Sequence, residues 1–537
     1  MAPLAHDSDN RGAALPAALD AQRSSPRLVG VLDMGASAIR LVIAEMALDG
    51  TIRIIEEASR GTPLGRDSFS SGVITPQTVD ATLAALNAFR QIMRNYGVHE
   101  VRAVATSAVR EARNRDLFLD RILGETGFAF ETINEAEENR LVFLAVRQAT
   151  RTGTAFKAEW TLVVEVGGGS TSLMLLRRGR PNRSGVYALG AVRLRQQLDL
   201  RRQKHDVQVA LLKRSIAIVI EEIRVEIPLD RITHAIAIGG DVRFAASQIV
   251  EGDPDAGVRE IPREAFTAFC DDVERMDEDQ LADRFRLPAV EADTLVPALL
   301  IYRTLLSGTA ATHLVVADAS LRAGVLLDLA AREGPEAAQE FEGQVLASAE
   351  ALGHKYRFDW VHGRHVATLA TRLFDEFLGE HRLSSRERLL LQVAALLHDV
   401  GIYVSLRAHH KHTLYLLASS QIYGLSDEET TMVANIARYH RRVTPQDTHT
   451  SYIALDRRER LVVNKLAALL RVANALDAEH LQKVKDLRLV QHDQAWVVEL
   501  QGTGDLTMEQ LAASARADMF LETFGRPLHV RQVEGWS

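Results

Sequence analysis

Two stretches of the chain end an apolar, β-branched run with a carboxylate and follow it almost at once with glycine. VLDMGASAIRLVIAE (31–45) sets Asp33 before Gly35 and Ser37. VVEVGGGSTSLML (163–175) sets Glu165 before Gly167, Gly168, Gly169, Ser170 and Thr171. Glycine lets the backbone approach a phosphate closely and aim successive N–H groups at it. A carboxylate at the strand end would hold a hydrated Mg2+ or orient an attacking water. IGGDVRFAA (238–246) supplies a further turn of this kind through Gly239 and Gly240. One glycine-rich turn is commonly no more than hairpin geometry. Repetition at the heads of similar segments points instead to a phosphate clamp.

A second concentration of chemistry lies further along. DWVHGRHVATLATRLFD (359–375) carries His362, LLQVAALLHDVGIYVS (390–405) carries His398 and Asp399, and LLRVANALDAEH (469–480) carries Asn474 and Asp477. Imidazole and carboxylate groups on packed helices suit a divalent transition metal that activates water. AHHKHTLYLL (408–417) adds His409, His410, Lys411 and His412, and ARYHRR (437–442) adds Arg438, His440, Arg441 and Arg442. These two segments read either as a basic groove that threads a polyanion or as a solvated face.

The elements that must position these groups are legible in the apolar pattern. Leu28–Asp33, Ala38–Met46 and Thr51–Glu56 read as strands, Gln77–Tyr96 as a helix, Val101–Ala105 as a strand and Glu135–Gln148 as a helix. After a polar stretch at 149–158 the grammar restarts, with strands at Trp160–Val166, Thr171–Leu176 and Thr233–Ile238. Two α/β halves that each open on strand, carboxylate, glycine and return strand predict an internal duplication, with a ligand in the cleft between the lobes. Apolar residues at helical spacing from 343 to 480 predict an all-helical domain. The tail reads as strands at Asp486–Val490 and Ala495–Leu500, a helix over Met508–Thr523 and a strand at Leu528–Val533. The expected boundaries are a disordered head at 1–27, a first lobe at 28–150, a second at 151–335, the helical domain at 336–484 and a small α+β domain at 485–537.

Composition sets outer limits. A chain of 537 residues needs several cores. The formal charge of −8 argues against a dedicated nucleic-acid binder. A single cysteine, Cys270, allows no internal disulfide and fits a reducing cytoplasm. No apolar run approaches the roughly 20 residues that span a bilayer. The expectation is a soluble cytoplasmic protein without a membrane partner.

The glycine turns resemble the phosphate loops of actin, hexokinase and the heat-shock chaperone ATPases. ATSAVREARN (105–114), TINEAEENRLVFLAV (132–146), ALGAVRL (188–194) and VVADASLRAGVLLD (315–328) together resemble the exopolyphosphatase / guanosine pentaphosphate phosphohydrolase family from residue 28 onward. That resemblance implies a two-lobed actin-like (ribonuclease H-like) α/β core. Glu138 aligns with the glutamate that activates water, and Arg110 with the arginine that contacts the phosphate chain. It implies Mg2+ in the cleft at Asp33 and Glu165, and release of terminal phosphate from inorganic polyphosphate or guanosine pentaphosphate. A homodimer is compatible with it. The helical segments resemble HD-domain phosphohydrolases, which implies a metal site, for Mn2+ or another divalent ion, at His362, His398 and Asp399. Asn474 stands where that superfamily has its last aspartate, and Asp477, one turn on, is the substitute. The chain departs from the family pattern at Ala36, Glu165, Ser172 and Asp241. Two alternatives follow: a nucleotide or phosphoester hydrolase acting through the HD centre, and a non-catalytic sensor of an alarmone or nucleotide.

Overall fold

The computed structural model describes residues 26–533 except 48, 152, 154, 199–202, 251–256, 332–334, 442 and 493. The expected disordered head therefore falls almost wholly outside the described residues. The chain forms two compact units, one reaching to Thr132 and taking in Arg322–Glu333, the other made of Ile133–Leu321 and the chain from position 334 on.

The first unit is built on strands β1 (Arg27–Met34), β2 (Ala38–Met46), β3 (Ile52–Gly61), β4 (Glu100–Ala105) and β5 (Phe130–Thr132), in the order β3-β2-β1-β4-β5. β2 returns antiparallel to β1 after a three-residue turn, while β4 runs parallel to β1. The helix Pro76–Tyr96 covers the sheet. Thr75 caps it by accepting from the Thr78 N–H, Pro76 opens it, and Gly97 at φ 70° closes it. Its Val79, Leu83, Leu86, Phe89 and Met93 enter the core. Gly30 admits this helix, because a Cβ there would lie 2.9 Å from the Met93 sulfur.

The second unit repeats the plan. Strands β6 (Thr161–Val166), β7 (Thr171–Arg177), β8 (Arg180–Tyr187), β9 (His234–Ile238), β10 (Val258–Pro262) and β11 (His313–Ala317) lie in the order β10-β11-β9-β6-β7-β8. β6 pairs antiparallel with β7 and parallel with β9, as β1 pairs with β2 and β4. The expected duplication is thus present as two sheets of the same pairing sense, with β10 added at one edge. The strands β5, β8, β10 and β11 were not foreseen: β5 is brief and β8 and β10 are polar, while the apolar run of β11 was read only as part of the motif at 315–328.

The same unit continues into helices Trp360–Glu376, Ser385–Leu397, His409–Ala418, Asp427–Arg438 and Arg457–Ala475. Capping boxes start three of them, at Ser384/Glu387, Ser426/Glu429 and Asp456/Glu459. The chain ends in a sheet of β12 (Val484–His492), β13 (Ala495–Gly502) and β14 (Leu528–Gln532), ordered β12-β13-β14. This sheet and the helices share one apolar core. The single helix expected over 508–523 is instead two, Thr507–Ser514 and Asp518–Phe524. The break sets Asp518 in a fresh first turn, where its carboxylate takes the buried Arg471 guanidinium at 2.7 Å. Among the described residues no helix is long and apolar enough to cross a membrane.

Candidate functional site

Asp33 is the penultimate residue of β1 and has 6% exposure. Its Oδ2 accepts from Arg322 Nη1 at 3.3 Å and lies 4.0 Å from Arg40 Nη1. Arg322 sits at the start of the helix Leu321–Ala331, so this carboxylate faces two guanidinium groups. The turn that follows is closed by its own backbone: Gly35 N–H donates to Ala38 O (3.0 Å), and Ala36 O and Ser37 O accept from Gly65 and Thr62 (2.7 and 3.0 Å). Gly65 has no room for a side chain, since a Cβ would stand 2.8 Å from the Ala36 methyl. Thr106 N–H donates to Met34 O (3.2 Å) and ties the end of β4 to the end of β1. Arg110 closes the short helix Ser107–Arg110 that follows β4.

In the second unit, Gly167 N–H donates to Ser170 O (2.9 Å). The carbonyls of the triple-glycine turn are taken by the helix Ala191–Gln197: Ala191 N–H donates to Gly167 O (3.0 Å), and both Val192 and Arg193 N–H donate to Gly168 O (2.9 Å each). The Arg193 side chain adds a bond to Gly169 O. Gly190 makes the approach possible, because a Cβ there would sit 2.4 Å from Gly168 O. These bonds set the peptide planes of residues 167–169 before any anion arrives.

Glu165 pairs in register with Ser172 on β7 and Ile238 on β9, so the second and third glycine turns leave the sheet side by side. Tyr302 locks them. Its buried hydroxyl accepts from Val166 N–H at 2.9 Å and donates to Ile238 O, the residue before Gly239. Burial pushes this phenol well above its ordinary value, so the proton it donates is retained. Gly239 follows at φ 124°, a conformation that suits glycine.

Glu138 lies in the first turn of the helix Glu135–Thr150, whose N-cap Asn134 accepts from Glu137 N–H. The partial positive charge of a helix start favours a carboxylate there. Buried Arg140 forms a bidentate pair with Glu137 (2.7 and 2.8 Å). Phe143 packs edge-on to Tyr423 at 5.9 Å, which fixes the helix against the helical segment of the same unit.

That segment brings its imidazoles together around Asp399. Asp399 Oδ1 lies 3.0 Å from His409 Nε2 and 3.4 Å from His440 Nε2; Oδ2 lies 3.6 Å from His398 Nε2 and 4.0 Å from His362 Nε2. The four rings are at most 1% exposed. Each turns Nδ1 away to an acceptor: Ala395 O for His398 (2.7 Å), Leu406 O for His409 (3.1 Å), Ala437 O for His440 (2.5 Å) and Asp477 Oδ2 for His362 (2.8 Å). His480 stacks on His362 at 3.6 Å and stands at the more exposed side. Burial pushes His398 and His440 below their ordinary values. Burial alone would raise the Asp399 carboxyl, but His398, His409 and His440 outweigh it and hold that group well below the usual range.

Small residues allow this convergence. A Cβ on Gly363 would meet Leu396 O at 2.7 Å, so glycine lets the His362 helix reach the end of the His398 helix. A Cβ on Gly401 would lie 2.1 Å from His409 O. Thr413 clamps the same crossing, with its hydroxyl donating to His398 O (2.9 Å) and accepting from Gly401 N–H (3.0 Å).

Of the expected metal residues, His362, His398 and Asp399 come together. Asp477 stands behind His362 instead of at the convergence, because its oxygens are occupied by His362 Nδ1 and by the Gln482 backbone and side chain. His409 and His440, read from sequence as parts of a basic segment, belong to the cluster. Arg322, Tyr302 and Gly190 were not singled out; Gly190 and Arg322 lie inside the motifs 188–194 and 315–328, which were noted only as stretches.

With the geometry in hand, comparison with known proteins is informative. The model of the Ppx/GppA phosphatase family matches residues 42–333, and that of Ppx/GppA phosphatase domain III matches residues 346–515. The chain belongs to the Ppx/GppA phosphatase family. A guanosine-5'-triphosphate,3'-diphosphate pyrophosphatase of Vibrio parahaemolyticus is 24% identical over 78% of this chain and 82% of its own length. Exopolyphosphatase 1 of Mycobacterium leprae is 32% identical over 31% of this chain and 48% of its own. The crystal structure of an exopolyphosphatase from Cytophaga hutchinsonii shares the fold, with a TM-score of 0.52 and 22% identity over 57% of this chain and 98% of that one.

Proposed function

We propose that this chain hydrolyses phosphoanhydrides, releasing terminal phosphate from inorganic polyphosphate or from guanosine pentaphosphate. The observation that carries this reading is the duplicated strand–carboxylate–glycine turn at Asp33 and Glu165, in a chain of a phosphatase family. Phosphoryl transfer to water asks a protein mainly for positioning and for neutralisation of charge. Gly167, Gly168, Gly169, Ser170 and Thr171, with Gly239 and Gly240, are assigned to the phosphate oxygens, as are Gly35 and Ser37 in the first unit. Gly35 N–H and Gly167 N–H are spent on Ala38 O and Ser170 O, so these two residues serve by shaping their turns; donors already oriented by such turns need no rearrangement as charge develops.

Glu138 is assigned as the base. It takes a proton from water as the water oxygen bonds to the terminal phosphorus; the bridging P–O bond breaks, and the shortened chain leaves with that electron pair. Arg110 contacts the phosphate chain. Mg2+, the cation the resemblance implies, supplies neutralisation of phosphoryl oxygens when bound, and Glu165 is the carboxylate assigned to it. Asp33 is assigned to it as well, while its Oδ2 also accepts from the Arg322 guanidinium. It thereby holds that arginine beside the cation it is assigned to bind.

The test is orthophosphate release from long-chain polyphosphate and from guanosine pentaphosphate, each with Mg2+ and with Mn2+. Glu138→Gln keeps the shape and removes the base, so release should fall by about 10²–10⁴-fold. Unchanged release in that variant refutes the assignment.

A further inference from the structure

The cluster around Asp399 is separate from the glycine turns and is built like a metal centre with two positions. When a ring's Nδ1 faces a carbonyl or carboxylate oxygen, the proton sits on Nδ1 and the Nε2 lone pair points forward. All four rings are set in this way, with Nε2 turned toward Asp399. His362 Nε2 and His398 Nε2 are fully buried without a hydrogen-bond partner. His409 Nε2 and His440 Nε2 lie 3.2 Å apart, both directed at Asp399 Oδ1. Two lone pairs so close, with no proton between them, repel unless a cation is shared. Buried polar atoms of this kind are costly when unmatched.

The geometry points to a dinuclear centre for first-row transition ions, with Asp399 bridging. One ion would lie on the Oδ2 side, held by His362 and His398 with His480 at its open edge; the other would lie on the Oδ1 side, held by His409 and His440. Asp399, His409 and His440 place ligand atoms within 4.8 Å of one another, as do His362, Asp399 and His480. Nitrogen-rich ligation of this sort favours Mn2+, Fe2+, Co2+ or Zn2+ over Mg2+. Asp477 is the outer partner that orients His362 and raises its basicity, the usual carboxylate–histidine–metal relay. Asn474, where a carboxylate was expected, is then no defect, because His409 and His440 supply the ligands for a second ion. This inference does not rest on the assignment of Glu138 or of the glycine turns.

Full-length protein stripped with a chelator, reloaded with Co2+ and desalted should hold two more ions per chain than Asp399→Asn treated alike, with visible d–d absorption. The pair His409→Ala/His440→Ala should lose one of the two. Glu138→Gln should keep both, which separates this centre from the proposed phosphate site. A difference of one ion or none between wild type and Asp399→Asn overturns the proposal and leaves a protonated imidazole–carboxylate network. Wild type needs no variant in a second measurement: loaded with Mn2+, it should give the resonance of an exchange-coupled pair. Only the six-line spectrum of isolated Mn2+ would overturn the proposal.

Discussion

Tyr302 has no charge, no exposed surface and no place in a recognisable motif, yet one oxygen joins the ends of two strands. It accepts from Val166 N–H and donates to Ile238 O, so the turns that begin at Gly167 and Gly239 share an anchor. Tyr302→Phe retains the ring and strands a buried N–H, which costs about 1–3 kcal/mol. Urea unfolding should register that loss. Phosphate release should fall beyond what the lost stability explains, because the two turns are then free to drift apart by fractions of an ångström. An unfolding midpoint equal to wild type would remove the anchoring role. The Asp33–Arg322 pair at 3.3 Å makes a related point: a carboxylate at a strand end can serve by orienting a cation as well as by binding one.

Close approaches of whole elements rest on single glycines. The helix Ala191–Gln197 donates three backbone N–H groups into the triple-glycine turn and can do so only because Gly190 has no side chain. Gly190 lies at φ −130°, so the restriction is one of space and not of backbone conformation. Gly190→Ala must move the helix start off Gly168 O. The sheet behind it is unaffected, and the expected result is a folded protein with unchanged circular dichroism and phosphate release reduced at least tenfold. Activity within twofold of wild type would show that the turn tolerates the shift. Gly401 plays the same part for the helix His409–Ala418, whose first residue reaches Asp399 only while its carbonyl passes 2.1 Å from where a Cβ would be.

Considered over its full length, the second unit does not stop at the last helix. Phe377 packs on Trp496 at 5.0 Å, on Phe520 at 5.3 Å and on Phe524 at 4.7 Å, and buried Arg471 is neutralised by Asp518. A chain ended at position 484 would remove the rings that cover Phe377 and leave a buried guanidinium unpaired. Each large apolar side chain stripped of cover forfeits about 1.5–3 kcal/mol, a substantial share of a domain's stability. Calorimetry of the truncated protein should show the helical transition broadened or lost. A sharp transition at the wild-type temperature would mean that the helices hold their core alone.

Local chemistry explains how far the sequence could be read. Asp33–Gly35 and Glu165–Gly169 were visible because a strand end, a carboxylate and a glycine turn are neighbours along the chain, and a β-branched run declares its period within a few residues. The helices carrying His362 and His398 declared themselves through 3.6-residue spacing. What needed three dimensions was every relation between segments distant in sequence. His409 and His440 gave only a count of basic groups; that their Nε2 atoms meet at Asp399 follows from helix crossings set by Gly363, Gly401 and Thr413. Asp477 had the right spacing for a ligand, and hydrogen bonds from His362 and Gln482 turned it to the outer side. Tyr302 acts through two polar contacts, across 136 and 64 positions, and Arg322 through one across 289, distances at which no periodicity survives. A short-range pattern reports the backbone each segment prefers; side-chain convergence depends on how those segments pack, and packing is a property of the whole fold.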